Sequence, residues 1–279
     1  MKLFALKGSE DFGLLIAQQL NLQLSLHEER EFEDGEHKTR SLENVRNQDV
    51  FVIHSLYSDD QHSVNDKLCR LLFFISSLKD ASAKKVTAVI PYLCYARKDR
   101  RTKSRDPVTT RYVARLIEAS GADGVVTMDV HNLQAFQNAF NIPAENLEAK
   151  KLFADYLFAI LKKEKLVILS PDFGGVKRAE QLSEAMYALW KQELPFALME
   201  KYRSGGKVSG ETITGDIKGK TVVIIDDLIS TGGTIGRTVT ACKNQGAKQV
   251  YTLATHGLFT GNPAETLKEP LLRQIIITN

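Results

Sequence analysis

The chain has few cysteines, no long apolar run and no strong excess of either charge, and each shortage closes off a class of protein. Its three cysteines, Cys69, Cys94 and Cys242, are scattered without C-x-x-C spacing. That excludes a disulfide framework and fits a reducing, cytoplasmic compartment. No apolar stretch approaches the ~20 residues of a membrane span, so no membrane contact is expected. The opening Met1-Lys-Leu-Phe-Ala-Leu-Lys-Gly8 is too short and too interrupted for a secretory signal and reads as a first strand. A net charge of +3 is too small to argue for nucleic acid, although it suits phosphorylated small molecules. No segment is of low complexity. What remains is an ordinary globular composition, 279 residues with 43% hydrophobic and 25% charged, enough for about two domains.

Short apolar strands alternate with amphipathic helices along the whole chain. Strands are expected over residues 2–7, 48–54, 85–90, 124–128, 167–170, 196–200, 221–225, 249–255 and 274–278, and helices over 9–20, 63–82, 109–120, 133–140, 149–161, 175–188 and 234–245. Strand followed by helix, repeated, argues for an α/β protein with mainly parallel sheets and crossover helices. A coarser echo runs through it. Gly121-Ala-Asp-Gly-Val-Val-Thr-Met-Asp-Val-His131 and Gly246-Ala-Lys-Gln-Val-Tyr-Thr-Leu-Ala-Thr-His256 both pass from a Gly-Ala turn through a strand to a histidine. Either two similar domains stand in tandem, or both stretches are helix-to-strand turns with glycine as the helix C-cap. The boundary is expected near Pro143, giving domains 1–143 and 144–279, with the last strand a candidate to return to the first domain.

The most telling stretch is Val222-Val-Ile-Ile-Asp-Asp-Leu-Ile-Ser-Thr-Gly-Gly-Thr-Ile235. Its β-branched residues make a buried strand, Asp226 and Asp227 end it, and the small polar loop Ser230-Thr231-Gly232-Gly233-Thr234 opens a helix. In parallel α/β sheets ligands bind outside the carboxyl ends of the strands. A Gly/Thr loop opening a helix points backbone N–H groups at an anion such as phosphate. Two carboxylates cannot serve that phosphate, but they can accept from the vicinal hydroxyls of a sugar or hold a divalent metal. A ribose 5-phosphate unit satisfies both halves. The competing reading is that these residues merely cap the helix.

Five further segments carry chemistry. Phe32-Glu33-Asp34-Gly35-Glu36 sets acids around a turn glycine: an aromatic to stack on a base and carboxylates to accept from an exocyclic amine, or else a solvated hairpin tip. Ile90-Pro-Tyr-Leu-Cys-Tyr-Ala-Arg-Lys-Asp-Arg-Arg-Thr-Lys-Ser-Arg-Asp-Pro107 leaves a strand and becomes densely cationic through Arg97, Lys98, Arg100, Arg101, Lys103 and Arg105, a natural polyphosphate clamp. Met128-Asp-Val-His131 places an imidazole just past a strand end. Ser170-Pro-Asp-Phe-Gly-Gly-Val-Lys-Arg178 repeats the pattern of strand, acid, diglycine turn and helix, and Asp172 is a hard oxygen donor suited to Mg²⁺. Lastly, Glu200-Lys-Tyr-Arg-Ser-Gly-Gly-Lys-Val-Ser-Gly210 sends Lys201 and Arg203 from a strand into a Gly/Ser loop. That is either a cationic loop closing over developing negative charge or an exposed hairpin.

Together and in this order, the motifs F-x-D-G-E, I-P-Y-x-x-Y-A-R-x-D-R, M-D-x-H, S-P-D-x-G-G-x-x-R and D-D-x-x-x-T-G-G-T resemble the ribose-phosphate diphosphokinase (phosphoribosyl pyrophosphate synthetase) family nearly end to end. The resemblance implies two tandem phosphoribosyltransferase-type, Rossmann-like domains: an N-terminal ATP-binding domain and a C-terminal phosphoribosyltransferase-like domain. It implies Mg²⁺-dependent transfer of the diphosphoryl group of ATP to the C1 hydroxyl of ribose 5-phosphate, releasing AMP. By the same match, Asp34, Gly35 and Glu36 would hold adenine, with Phe32 lent by a neighbouring subunit. Arg97, with Lys98 and Asp99 beside it, would bind ATP. His131 and Asp172 would ligate Mg²⁺, and Lys201 and Arg203 would stabilise the transition state. Asp226 and Asp227 would receive the ribose hydroxyls, and Ser230, Thr231, Gly232, Gly233 and Thr234 the 5-phosphate. Partners would be ATP, ribose 5-phosphate and further copies of the chain, with a dimer as the building unit of an assembly up to a hexamer.

Some positions depart from the phosphate-activated form of the family. Lys98 stands where glutamine is usual and Ser230 where aspartate is usual, and the segment after His131 reads Asn-Leu-Gln-Ala-Phe-Gln-Asn-Ala-Phe140. Two rival readings share the Asp226–Thr234 loop. A phosphoribosyltransferase has no need of the basic run or His131, and a silent synthetase-associated subunit carries altered or interrupted catalytic segments.

Overall fold

The computed structural model describes every residue except 192, 205, 206 and 279, and of residues 201–204 and 207–211 the backbone alone. The chain forms two compact units, Met1–Leu147 and Glu148–Asn279. Among the described residues no helix is long and apolar enough to cross a membrane.

The first unit runs β1 (Lys2–Ala5), α1 (Glu10–Gln19), β2 (His27–Glu31), β3 (His37–Ser41), β4 (Asp49–Ile53), α2 (Val64–Asp80), β5 (Lys85–Ile90), α3 (Thr109–Ala119), β6 (Gly124–Met128), α4 (Leu133–Ala139) and β7 (Ala144–Leu147). Its sheet is parallel throughout, in the order β1-β4-β5-β6-β7. Alternation along the strands divides the core. Phe4, Val50 and Val52 pack into a large cluster with Leu71, Phe74 and Ile75 of α2. Leu3, Ala5 and Ile53 meet Ala17 and Ile16 of α1 in a smaller one. Both faces being covered explains why these strands read as continuous apolar runs rather than as alternating ones. β2 and β3 form an antiparallel pair of their own.

The second unit runs α5 (Lys150–Leu161), β8 (Leu166–Ser170), a 3-10 turn (Phe173–Gly175), α6 (Val176–Trp190), β9 (Phe196–Ser204), β10 (Lys207–Thr214), β11 (Thr221–Ile229), α7 (Gly233–Asn244), β12 (Gln249–Gly257), α8 (Pro263–Thr266) and β13 (Leu272–Ile277). Sheet order is β10-β9-β8-β11-β12-β13, parallel except for the antiparallel β9–β10 pair. Val222 and Ile224 face one core cluster, Val223 and Ile225 the other.

Several expectations change here. The division between units falls after β7, beyond Pro143. The carbonyl of Pro143 accepts from the Val125 amide, and the four residues Ala144–Leu147 then add an edge strand to the first sheet, although Ala-Glu-Asn-Leu carries no strand-like pattern. The last strand does not return to the first unit, because β13 pairs with β12. The Gly-Ala echo has a local cause in each of the two tandem α/β units. Gly121 and Gly246 adopt φ of 98° and 75°, and the amides of Ala122 and Ala247 reach back to the carbonyls of Ile117 and Cys242. Both stretches are helix C-terminal turns closed by a left-handed glycine.

Candidate active site

Predicted site residues fall at the carboxyl ends of strands in both units. In the second unit the central feature is the end of β11. This strand was expected to stop at Ile225 but continues to Ile229, because its pairing with β12 runs on to Ile229 opposite Gly257, while pairing with β8 ends at Ile224 opposite Leu169. Asp226 and Asp227 are therefore held in strand geometry by one neighbour and lie past the end of the other. The Asp227 amide donates to Asp226 Oδ1 at 2.9 Å, and Arg178 Nη1 lies 3.7 Å from Asp226 Oδ1 and 3.6 Å from Asp227 Oδ1.

Arg178 had no assigned role in the sequence. It stands in the first turn of α6, where the helix dipole disfavours a cation; that misplaced charge was the available signal. Its partners explain it, since two neighbouring carboxylates repel unless a cation sits between them. Even so, burial first and the Asp227 carboxylate second push the Asp226 carboxyl well above its ordinary range, with Arg178 opposing.

A stability test follows with a definite sign. An acid whose folded pKa is raised binds more protons folded than unfolded between the two values. Stability therefore falls as pH rises through that window. Asp226→Asn cannot ionise, so its Tm is expected to exceed the parent's at pH 8, with the gain shrinking as pH falls toward the ordinary carboxyl range, read by thermal denaturation across pH. A lower Tm at pH 8 would contradict the assignment.

The loop after β11 does not cap its helix with a side chain. The N-cap of α7 is Gly232, at φ 77°, and no side-chain hydrogen bond closes the helix end. A Cβ on Gly232 would come within 2.8 Å of the Leu267 side chain, so this turn requires glycine in both conformation and space. Ser230 instead pairs with Thr260, oxygen to oxygen at 2.8 Å. The capping explanation of Ser230 to Thr234 thus fails. What is left is a helix start whose first amides have no intrahelical acceptor, with Thr231 exposed and Gly233 and Thr234 partly so.

Asp172 follows β8. Its carboxylate accepts from the Gly175 amide at 3.2 Å and caps the 3-10 turn just past the end of β8. A Cβ on Gly175 would come within 2.8 Å of Ser170 Oγ, so the tight turn after β8 depends on glycine. Lys201 and Arg203 fall within β9, which pairs antiparallel with β10; their side chains lie outside the described residues.

In the first unit, Phe32 to Glu36 form the tip between β2 and β3. The Phe32 amide donates to the Glu36 carbonyl at 2.8 Å, the Gly35 amide to the Phe32 carbonyl at 3.1 Å, and the Glu36 amide to Asp34 Oδ1 at 3.1 Å. Gly35 has φ 90°. All five tip residues are exposed, and the Arg30 guanidinium lies 5.2 Å from the Phe32 ring centre.

The basic loop has more internal structure than its composition suggests. Asp106 accepts from Lys98 Nζ and Thr102 Oγ1, each at 2.7 Å, and from the amides of Thr102 and Lys103, each at 3.0 Å. These donors, Lys98 foremost, hold its carboxyl far below the usual range. Lys98 is therefore occupied in shaping the loop, while Arg97, Arg100, Arg101, Lys103 and Arg105 are exposed. Asp99 accepts from the Asn132 side-chain amide at 2.6 Å, and Asn132 in turn caps α4. That bond brings the basic loop alongside the turn bearing His131, which is exposed at the end of β6.

Among the described residues no group of three or more His, Cys, Asp or Glu side chains is placed to hold a metal by itself. This donor set fits Mg²⁺, which usually takes one or two protein ligands and completes its shell with substrate phosphates and water.

Residues 1–121 match the N-terminal domain of ribose phosphate pyrophosphokinase, and residues 137–269 match a phosphoribosyl transferase domain. The ribose-phosphate pyrophosphokinases of Caldanaerobacter subterraneus and Clostridium perfringens are 40% and 38% identical to this chain, over 100% of its length and 85% of theirs. The crystal structure of phosphoribosylpyrophosphate synthetase from Mycobacterium smegmatis superposes with a TM-score of 0.90 at 34% identity, covering 100% of this chain and 88% of that one. With matching domains in tandem and a full-length structural likeness, the chain belongs to the ribose-phosphate pyrophosphokinase family.

Proposed function

We propose that the protein transfers the diphosphoryl group of ATP to the C1 hydroxyl of ribose 5-phosphate, giving 5-phospho-α-D-ribose 1-diphosphate and AMP. The observation that carries this reading is the end of β11: two carboxylates bridged by Arg178, followed at once by a helix start that no side chain caps. Asp226 and Asp227 accept from the sugar's vicinal hydroxyls, and Ser230 to Thr234 offer amides and hydroxyls to the 5-phosphate. The sugar is thereby oriented with C1 toward the diphosphoryl donor.

Adenine occupies the Phe32–Glu36 tip, and Arg97 contacts the phosphates. Lys98 and Asp99 act at one remove, through the Asp106 and Asn132 contacts that fix the loop. The C1 oxygen attacks the β-phosphorus as the AMP oxygen departs in line. Positioning and charge stabilisation account for nearly all the catalysis in such a transfer. Lys201 and Arg203 supply positive charge to the migrating group. Asp172 and His131 would each serve as a ligand for Mg²⁺, which would supply charge neutralisation on the polyphosphate. The enzyme acts in the cytoplasm as a homo-oligomer built from dimers.

AMP formation from ATP, followed with and without ribose 5-phosphate, tests this reading. The expected result requires both the sugar phosphate and Mg²⁺ and is abolished by excess chelator. AMP formation indifferent to the sugar, or none under any condition, would reject it. The same assay repeated with other nucleoside triphosphates and with inorganic phosphate defines the donor range and any activation.

A further inference from the structure

The hairpin carrying Phe32 to Glu36 pairs with no strand of the main sheet, and an isolated two-stranded hairpin is marginal in water unless one face is covered. Glu29 stands opposite Thr39 and Glu31 opposite His37, so alternation puts His27, Glu29, Glu31, His37, Thr39 and Ser41 on one face. That face lies on α2 and contains no aliphatic side chain. Its ring contacts come from imidazoles: His27 beside Phe4 and Phe74, His37 stacked on Phe73. The remaining attachment is ionic. Arg70 of α2, with its side chain 4% exposed, reaches Glu29 at 3.4 Å and Glu31 at 3.0 Å. Glu29, 7% exposed, also accepts from the Lys7 amide at 2.6 Å and lies 3.0 Å from His27 Nε2. Burial would raise the Glu29 carboxyl, yet the hydrogen bonds from His27 and the Lys7 amide hold it down to about 2, so it is an anion. One carboxylate thus ties together the hairpin, α2 and the carboxyl end of β1, and the second carboxylate gripped by Arg70 belongs to the residue immediately before Phe32.

We infer that Arg70 is a positioning residue for the nucleotide. By gripping Glu29 and Glu31 together it fixes the place of the Phe32–Glu36 tip at the carboxyl edge of the first sheet. The inference rests on the reading of that tip as the base-binding element. Removing one partner of a buried ion pair leaves the other uncompensated. Arg70→Met should therefore drive the buried Glu29 toward water, leave the half-exposed Glu31 with only His62 at 3.1 Å and Lys7 at 3.8 Å, and undock the hairpin, while the main sheet, which shares no strand pairing with it, stays folded.

The test joins amide hydrogen exchange of the full chain with steady-state kinetics. In Arg70→Met, exchange across Glu28–Lys38 is expected to quicken about tenfold or more while β4 and β5 hold their protection. The KM for ATP is expected to rise about tenfold, with kcat and the KM for ribose 5-phosphate within about threefold of the parent. Arg70→Lys keeps the charge without the two-pronged grip and should fall between. Unchanged hairpin exchange in Arg70→Met overturns the grip. Phe32→Ala separates this inference from the reading beneath it. If Phe32→Ala raises the KM for ATP and Arg70→Met does not, the positioning role fails and the base site stands. If neither raises it, the base-site reading fails and takes the nucleotide role of Arg70 with it. Should Arg70→Met not yield folded protein, Glu31→Gln neutralises the half-exposed arm of the grip together with its contacts to His62 and Lys7 and is expected to show the same split at smaller size; no effect there overturns the proposal.

Discussion

Replacing Lys201 with alanine is expected to lower kcat by about 10²-fold or more while moving either KM by less than about threefold. The expectation comes from where charge develops. In diphosphoryl transfer the migrating group spreads negative charge over its non-bridging oxygens between an entering and a departing oxygen, and the protein forms no covalent intermediate with it. A cation that contacts those oxygens only as the bonds exchange adds nothing to ground-state affinity, so its loss appears in kcat. Lys201 lies in β9, the strand parallel and adjacent to β8, and β8 delivers Asp172 at its carboxyl end. Single-turnover kinetics on Lys201→Ala checks this directly. A kcat within about threefold of the parent would remove Lys201 from the transition state.

Asp227→Ala is expected to lower kcat/KM for ribose 5-phosphate by tenfold to about 10²-fold and to leave the KM for ATP nearly unchanged. A hydrogen bond to a charged group contributes about 1.5–3 kcal/mol, and each 1.4 kcal/mol is a factor of ten. Asp227 is the more buried of the pair, its side chain 5% exposed against 21% for Asp226. Arg178 keeps Asp226 as a partner after the change, so the fold should persist and the loss should fall on sugar recognition. The two acids are predicted to differ in stability as well. Removing the charge of Asp226 relieves a carboxylate that burial and its neighbour disfavour, the pattern of a site that holds strain for function. An equal rise in both KM values for Asp227→Ala would mean a general disturbance instead of a lost sugar contact.

Much of this architecture was legible in the chain because strands buried on both faces read as short continuous apolar runs set between amphipathic helices. The runs at 85–90 and 124–128 became β5 and β6 without change, and Ser63 opens α2 through a reciprocal cap with Asp66. β7 was not legible, because an edge strand needs only pairing on one side and Ala144–Leu147 bears no pattern of its own. β2 and β3 were hidden for a different reason. Their inward face is ionisable, so alternation of apolar and polar residues never appears, and only the acidic turn between them stood out.

The site divides the same way. The acids and glycines of the β11–α7 loop carry their chemistry in local order, and the sequence placed them at a strand end. Arg178, Asp106 and Arg70 act on residues distant in the chain or across a turn, through contacts that only the folded backbone creates. Lys98 shows the converse. Its charge reads as part of a phosphate clamp, yet Asp106 engages it within the same loop.

The central claim is that one group, a diphosphate, moves intact from nucleotide to sugar. A ³¹P spectrum of a mixture of the protein, ATP, ribose 5-phosphate and Mg²⁺ tests it most directly. The account predicts AMP and a new diphosphate ester on C1 appearing in equal amounts, with no ADP formed. ADP together with a sugar bisphosphate, or free diphosphate with no ester, would contradict it.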